Sequence, residues 1–169
     1  MSDIKTLGQV LQLHPEIAPL LDVVGMPYSW GAGALKDAVT LDPLDPLTWP
    51  QGLNGGRGGD CSFLAQWTLL RLGVIGPTQW PDLRALDLAN ACDAIDPAEA
   101  GPKDLYFYGK PGKVWHVTSA LGGGLCLHFS GNSKTNGDNP SKAVQIVHYT
   151  RAGDFLVAGR LKAQHRIDL

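Results

Sequence analysis

The stretch "GGRGGDCSFLAQWTLLRLG", Gly55–Gly73, runs a flexible, small-residue approach into Asp-Cys-Ser and then straight into an apolar segment. Phe63, Leu64, Trp67 and Leu70 fall on one broad face at helical spacing, and Gly73 stands just past the end. Asp60 or Ser62 suits the cap position at its start. Cys61 is therefore expected at the mouth of a helix. Unpaired N–H groups and the helix dipole there lower a thiol's pKa and can hold an oxyanion. A cysteine so placed is a candidate nucleophile, and it needs a base and a group to orient that base.

The chain upstream reads as helix. Apolar residues at Ile4, Leu7, Val10, Leu11, Ile17, Leu20, Leu21 and Val24 keep helical spacing, with a break or offset at Pro15. "GMPYSWGAG" follows as a turn, and Ala34–Gly59, rich in Pro and Gly, reads as a long surface loop over about 34–59. Downstream, "TQWPDLRALDLANAC" reads as a second, shorter helix. Past "DPAEAGPKD" the character changes: "DLYFYG", "VWHVTSALGG", "LCLHFSG", "AVQIVHYT" and "DFLVAGRL" are short β-branched and aromatic runs separated by turn residues. They predict an antiparallel meander. Helices first and sheet second make one α+β domain spanning 1–169.

Two histidines of the sheet half are candidates for the base and its orienter. With Gly122–Gly124 as a hairpin turn, symmetric pairing sets Thr118 near Leu127 and His116 near Phe129. His116 and His128 are then neighbours across the ladder, within a residue or so of register.

The rest of the composition excludes more than it selects. Of the 169 residues, 44% are hydrophobic and 18% charged, as in an ordinary globular protein. A net charge of −2 gives no nucleic-acid or anionic-membrane footprint. No run of eighteen apolar residues exists to span a membrane. "MSDIKTLGQVLQLHPE" lacks a signal peptide's basic start and apolar core, so synthesis in the cytoplasm is expected. The three cysteines, Cys61, Cys92 and Cys126, include no CxxC pair, so at least one thiol is free. Cys92 and Cys126 read as buried hydrophobes. A zinc site from Cys61, His116, Cys126 and His128 is the rival reading, without the usual close ligand pair to support it. "GGRGG" lacks the Lys-Ser or Lys-Thr of a P-loop. His14, His148 and His165 have no partner legible in the sequence.

The order "MPYSWG", "DCSFLAQWTLLRLGV", "PKDLYFYG" and "HVTSALGGGLCLHFSG" resembles the NlpC-type peptidases, papain-like cysteine endopeptidases that cut cell-wall peptides. Their pattern runs Pro-Tyr-x-Trp-Gly, Asp-Cys-Ser-Gly-Phe, Pro-Gly-Asp-Leu-x-Phe-Phe and His-Val-Gly, with a polar residue, often His, on the next strand. The likeness covers roughly Gly25 to Gly131. It implies a papain-like fold, with the nucleophile's helix packed on the antiparallel sheet, and no cofactor or metal. By position it makes Cys61 the nucleophile, His116 the general base and His128 its orienter; if His128 is only a structural sheet histidine, Asn132 is the substitute orienter. Tyr28 would reach the oxyanion or a substrate carbonyl, while Asp60 and Ser62 would contact the free amino end of a stem peptide. The implied substrate is bacterial peptidoglycan, cut beside D-glutamate next to diaminopimelate or lysine. Arg57 is a guess for a substrate carboxylate.

Phe63 replaces the glycine after Asp-Cys-Ser, Thr118 the one after His-Val, and Lys103 the one in Pro-Gly-Asp. Three settings fit: a phage lysin or tail-associated enzyme, which is preferred, an effector carried by a secretion machine, or a recycler of wall fragments. Two other functions stand beside hydrolysis. One is an amidase, acyltransferase or transglutaminase-like enzyme on the same fold, and the other a non-catalytic module that binds wall peptides.

Overall fold

The computed structural model describes residues 6–25, 60–76, 83–129 and 143–166. Tyr28, Trp30, the loop over 34–59 with Arg57, and Asn132 lie outside them. The expected N-terminal helix is α1, Leu7–Leu13, started by a Thr6–Gln9 capping box. At Pro15 it gives way to a 3-10 helix, Pro15–Val23, with Pro19 inside it. A proline lacks the N–H of an α ladder and crowds the carbonyl four residues back, so the segment tightens instead of continuing. The helix bearing the candidate nucleophile is α2, Cys61–Arg71, and the shorter one is α3, Ala85–Asn90. No helix among the described residues is long and apolar enough to cross a membrane.

Six strands form one antiparallel sheet in the order β1-β6-β2-β3-β4-β5. They are β1 Cys92–Ile95, β2 Asp104–Lys110, β3 Lys113–Gly122, β4 Leu125–Phe129, β5 Val144–His148 and β6 Phe155–Leu161. The five expected strands are all present, and two features correct the plain meander. β1 is an additional edge strand too short to show an alternating pattern. β6 leaves the meander and inserts between β1 and β2. Its centre is small enough for this: a Cβ at Gly159 would stand 2.9 Å from Cys92 Cβ and 3.0 Å from Phe107 Cε2.

Alternation along the strands gives the sheet two different faces. On one side Val117 packs with Leu69, Leu70 and Phe107, and Leu121 packs with Phe63, Leu64 and Trp67. This is the helix face. Thr68 ties α2 to it through a 2.6 Å bond to Ser119 Oγ. On the other side Tyr106, Tyr108, Ala120, Cys126 and Ala158 form a third cluster. Phe63 is 2% exposed within the helix-face core. The bulky residue after Asp-Cys-Ser is thus a core side chain over which α1 and the 3-10 helix close.

Lys103 has φ +83°, the left-handed region that favours glycine. It is the third residue of a turn closed by a 3.1 Å bond from the Asp104 N–H to the Gly101 carbonyl, with Pro102 second. That is a type II arrangement, in which glycine is the fitting third residue. The change from Gly in the family pattern therefore falls on backbone conformation. Lys103→Gly should stabilise the fold by about 0.5–1 kcal/mol, since relief of left-handed strain is partly offset by a freer unfolded chain. A urea midpoint that stays put or falls would contradict this.

Candidate active site

Asp60 builds the start of α2. Its Oδ1 accepts from the Phe63 N–H at 2.9 Å and from Ser62 Oγ at 2.9 Å, and its carbonyl accepts from the Leu64 N–H at 3.0 Å. The N–H groups of Cys61 and Ser62 are left directed at the Cys61 thiol, where the backbone N–H of Val117 on β3 also hydrogen-bonds the sulfur. One helix end and one strand thus converge on a single sulfur. Gln66, one turn on, stiffens this end: its amide donates to the Ser62 carbonyl and pairs with both backbone groups of Leu83.

The expected depression of the thiol pKa does not appear. Burial pushes Cys61 up to about 12, the Asp60 carboxylate adds to the rise, and the three N–H groups only partly oppose it. Desolvation of a thiolate packed among protein atoms outweighs a single helix terminus. Cys61 therefore rests as a neutral thiol.

His116 precedes Val117 and points to the other face of β3. Its ring lies 4.9 Å from that of His128 at 75°, and 5.4 Å from that of Tyr108 at 43°. The hairpin turn lies where expected, but the register is one step from symmetric: Ser119 pairs with Leu127, and Leu121 is bulged out. Carried one residue further, that register sets His128 against Thr118, two positions from His116 on the same face. Pairing His116 with Phe129 would have put the histidines on opposite faces, so the bulge is what brings them together.

Burial pushes His116 down to about 3, helped by repulsion from His128, and burial alone takes His128 to about 4. Nε2 of His116 is buried without a hydrogen-bond partner. No thiol–imidazole bond involving Nε2 is formed at rest; the Cys61 thiol meets β3 at the Val117 N–H, which lies in the plane of the sheet next to His116. Such contacts often tighten only when substrate arrives.

Both imidazoles are held neutral, so the unfolded chain takes up protons near pH 6.5 while the folded one does not. Stability should then fall as pH drops below about 6.5. His116 alone accounts for about 2 kcal/mol of loss by pH 5, and the partly exposed His128 for less. Urea unfolding at pH 7 and pH 5 checks this. His116→Gln should remove most of the difference, and an unchanged difference would disprove the assignment.

Cys126 is fully buried on the His116 face, and all three cysteines are free. Among the described residues no group of three or more His, Cys, Asp or Glu is arranged to hold a metal ion. Of the other histidines, His14 meets Glu16 at 3.3 Å and His148 meets Thr150 Oγ1 at 2.9 Å. His148 also lies over Gly124, where a Cβ would stand 2.6 Å from its Nε2. Both are structural contacts of kinds the sequence does not reveal.

No protein-family model matches the chain. It is 36% identical over 113 residues to the peptidoglycan endopeptidase RipB of Mycobacterium tuberculosis, a match covering 65% of this chain and 40% of that protein. The chain thus spans less than half the length of this curated relative. The P60 domain of an antigen from M. avium subspecies paratuberculosis superposes with a TM-score of 0.54 and 28% identity, over 90% of this chain and 95% of that one. The NlpC/p60 domain of the peptidoglycan hydrolase SagA gives a TM-score of 0.50 and 26% identity, over 84% and 94%. By sequence and by fold, the chain is similar to the NlpC/p60 domains of peptidoglycan hydrolases.

Proposed function

We propose that the protein is a cysteine endopeptidase that hydrolyses amide bonds in peptidoglycan stem peptides, with Cys61 as nucleophile, His116 as general base and His128 as its orienter. The observation that carries this reading is the convergence at Val117. Its N–H holds the Cys61 thiol, and the residue before it is an imidazole with a buried Nε2 whose ring faces a second one. The relatives RipB and SagA, named for peptidoglycan endopeptidase or hydrolase activity, supply the substrate class.

Since the thiol and imidazole both rest neutral, the first step is proton transfer from Cys61 to His116 as sulfur attacks the carbonyl carbon. The N–H groups of Cys61, Ser62 and Val117, freed from the resting thiol, are donors for the oxyanion. His116 returns the proton to the leaving amine, leaving an acyl group on Cys61. Water, deprotonated by His116, then cleaves the thioester. Asp60 keeps Oδ2 out of the bonds that cap α2, and this oxygen is suited to an ammonium at the free end of the peptide. The cut we propose lies between D-glutamate and diaminopimelate or lysine.

Incubation of the purified protein with peptidoglycan digests, read by mass spectrometry, tests the reading. New amine and carboxylate termini at the D-glutamyl bond are the expected products. Consumption of an added amine without a free carboxylate would make the enzyme a transferase. An unchanged digest would overturn the substrate.

A further inference from the structure

Two departures from the family pattern meet in space beside His116. In Asp-Leu-x-Phe-Phe the last position is Tyr108, and in His-Val-Gly the last is Thr118. Tyr108 and Thr118 are both buried, on adjacent strands of the histidine face, and their hydroxyls lie 3.2 Å apart. The Tyr108 O–H donates to the Tyr149 carbonyl at 3.0 Å. Its single proton is thereby used, so Thr118 is the donor of the pair. Glycine at 118 would leave the Tyr108 oxygen without this donor, and phenylalanine at 108 would leave Thr118 without this acceptor. Each residue completes the other.

What the pair fixes is a wall. The Tyr108 ring flanks His116 on one side while His128 flanks it on the other. The same ring is hemmed in by Phe155 at 6.1 Å and by the Gly153 backbone, where a Cβ would meet it at 3.5 Å. Tied at its hydroxyl and at its edge, the ring cannot swing away from the imidazole.

We propose that the Tyr108–Thr118 hydroxyl pair positions His116, holding the Tyr108 ring as the fixed wall against which the imidazole is set. This rests on the reading of His116 as the base. The titratable groups facing His116 from neighbouring strands are Tyr108 of β2 and His128 of β4, and the Cys126 thiol of β4 hydrogen-bonds both hydroxyls of the pair.

The test is a double-mutant cycle in the full chain on soluble muropeptides, with iodoacetamide labelling of Cys61 measured in parallel. Tyr108→Phe and Thr118→Ala should each lower kcat about tenfold with KM nearly unchanged. The double variant should be no worse than either single one, because both remove the same bond. Thr118→Ser, which keeps the donor, should restore near wild-type kcat. Losses that multiply in the double variant, that fall on KM, or that Thr118→Ser fails to rescue would overturn the proposal. If wild type cleaves no muropeptide, the functional reading fails on its own account. Labelling then decides the positioning role: about tenfold slowing in each single variant and none further in the double supports it, and unchanged rates overturn it.

Discussion

Cys61→Ala is expected to lower peptidoglycan hydrolysis by about 10⁴-fold or more while the fold persists, because no other group can form the acyl intermediate. The resting thiol sharpens this expectation. With a pKa pushed up to about 12, only about one Cys61 in 10⁵ is thiolate at pH 7 unless a neighbour takes the proton. An ordinary exposed cysteine is ionised to a few per cent at that pH. Alkylation of wild-type Cys61 near neutrality should depend on His116, the base of the proposed site. His116→Gln should slow it by about 100-fold. A rate that climbs tenfold per pH unit into the alkaline range, indifferent to His116→Gln, would mark an isolated buried thiol and end the catalytic reading.

Arg160→Met is the substitution expected to damage the fold most. Asp104, at the start of β2, is 2% exposed, whereas its partner Arg160 on β6 is 47% exposed. The guanidinium grips both carboxylate oxygens, at 2.7 and 2.8 Å, and the Gly101 N–H adds a third bond at 3.0 Å. Removing Arg160 strands a buried carboxylate on one amide. The loss should be about 2–3 kcal/mol, below the full cost for a deeply buried pair because Arg160 is itself half in water. For a chain of this size that lowers Tm by roughly 4–12 °C. Asp104→Asn in the same protein should recover much of the loss, since the amide is neutral and still accepts from Gly101. A double variant as unstable as Arg160→Met would show that packing, not charge, is at stake. The pair matters to the site because it anchors β2, and β2 carries Tyr108 to His116.

The residues of the site were readable because each leaves a local mark. A capping residue, an apolar face and a terminal glycine delimit α2 around Cys61. Short β-branched and aromatic runs between turn residues delimit the strands bearing His116 and His128. β1 leaves no such mark: four edge residues with no burial alternation look like the end of a helix. The place of β6 is equally silent, because strand order depends on which neighbour a small centre such as Gly159 admits, and the partners Cys92 and Phe107 are far away in the chain.

The sequence by itself determined the candidate groups and their order: a cysteine opening a helix, two histidines on successive strands, and an α+β arrangement to carry them. Tertiary structure decided two things that composition and spacing cannot hold. The first is the facing of the histidines, set by a one-residue bulge at Leu121, since in a sheet a single step of register exchanges inside for outside. The second is the charge state of the site. A helix terminus argues locally for a thiolate, yet burial of the sulfur against β3 leaves a neutral thiol beside neutral imidazoles. Desolvation is a sum over everything packed around an atom, and no stretch of chain carries that sum.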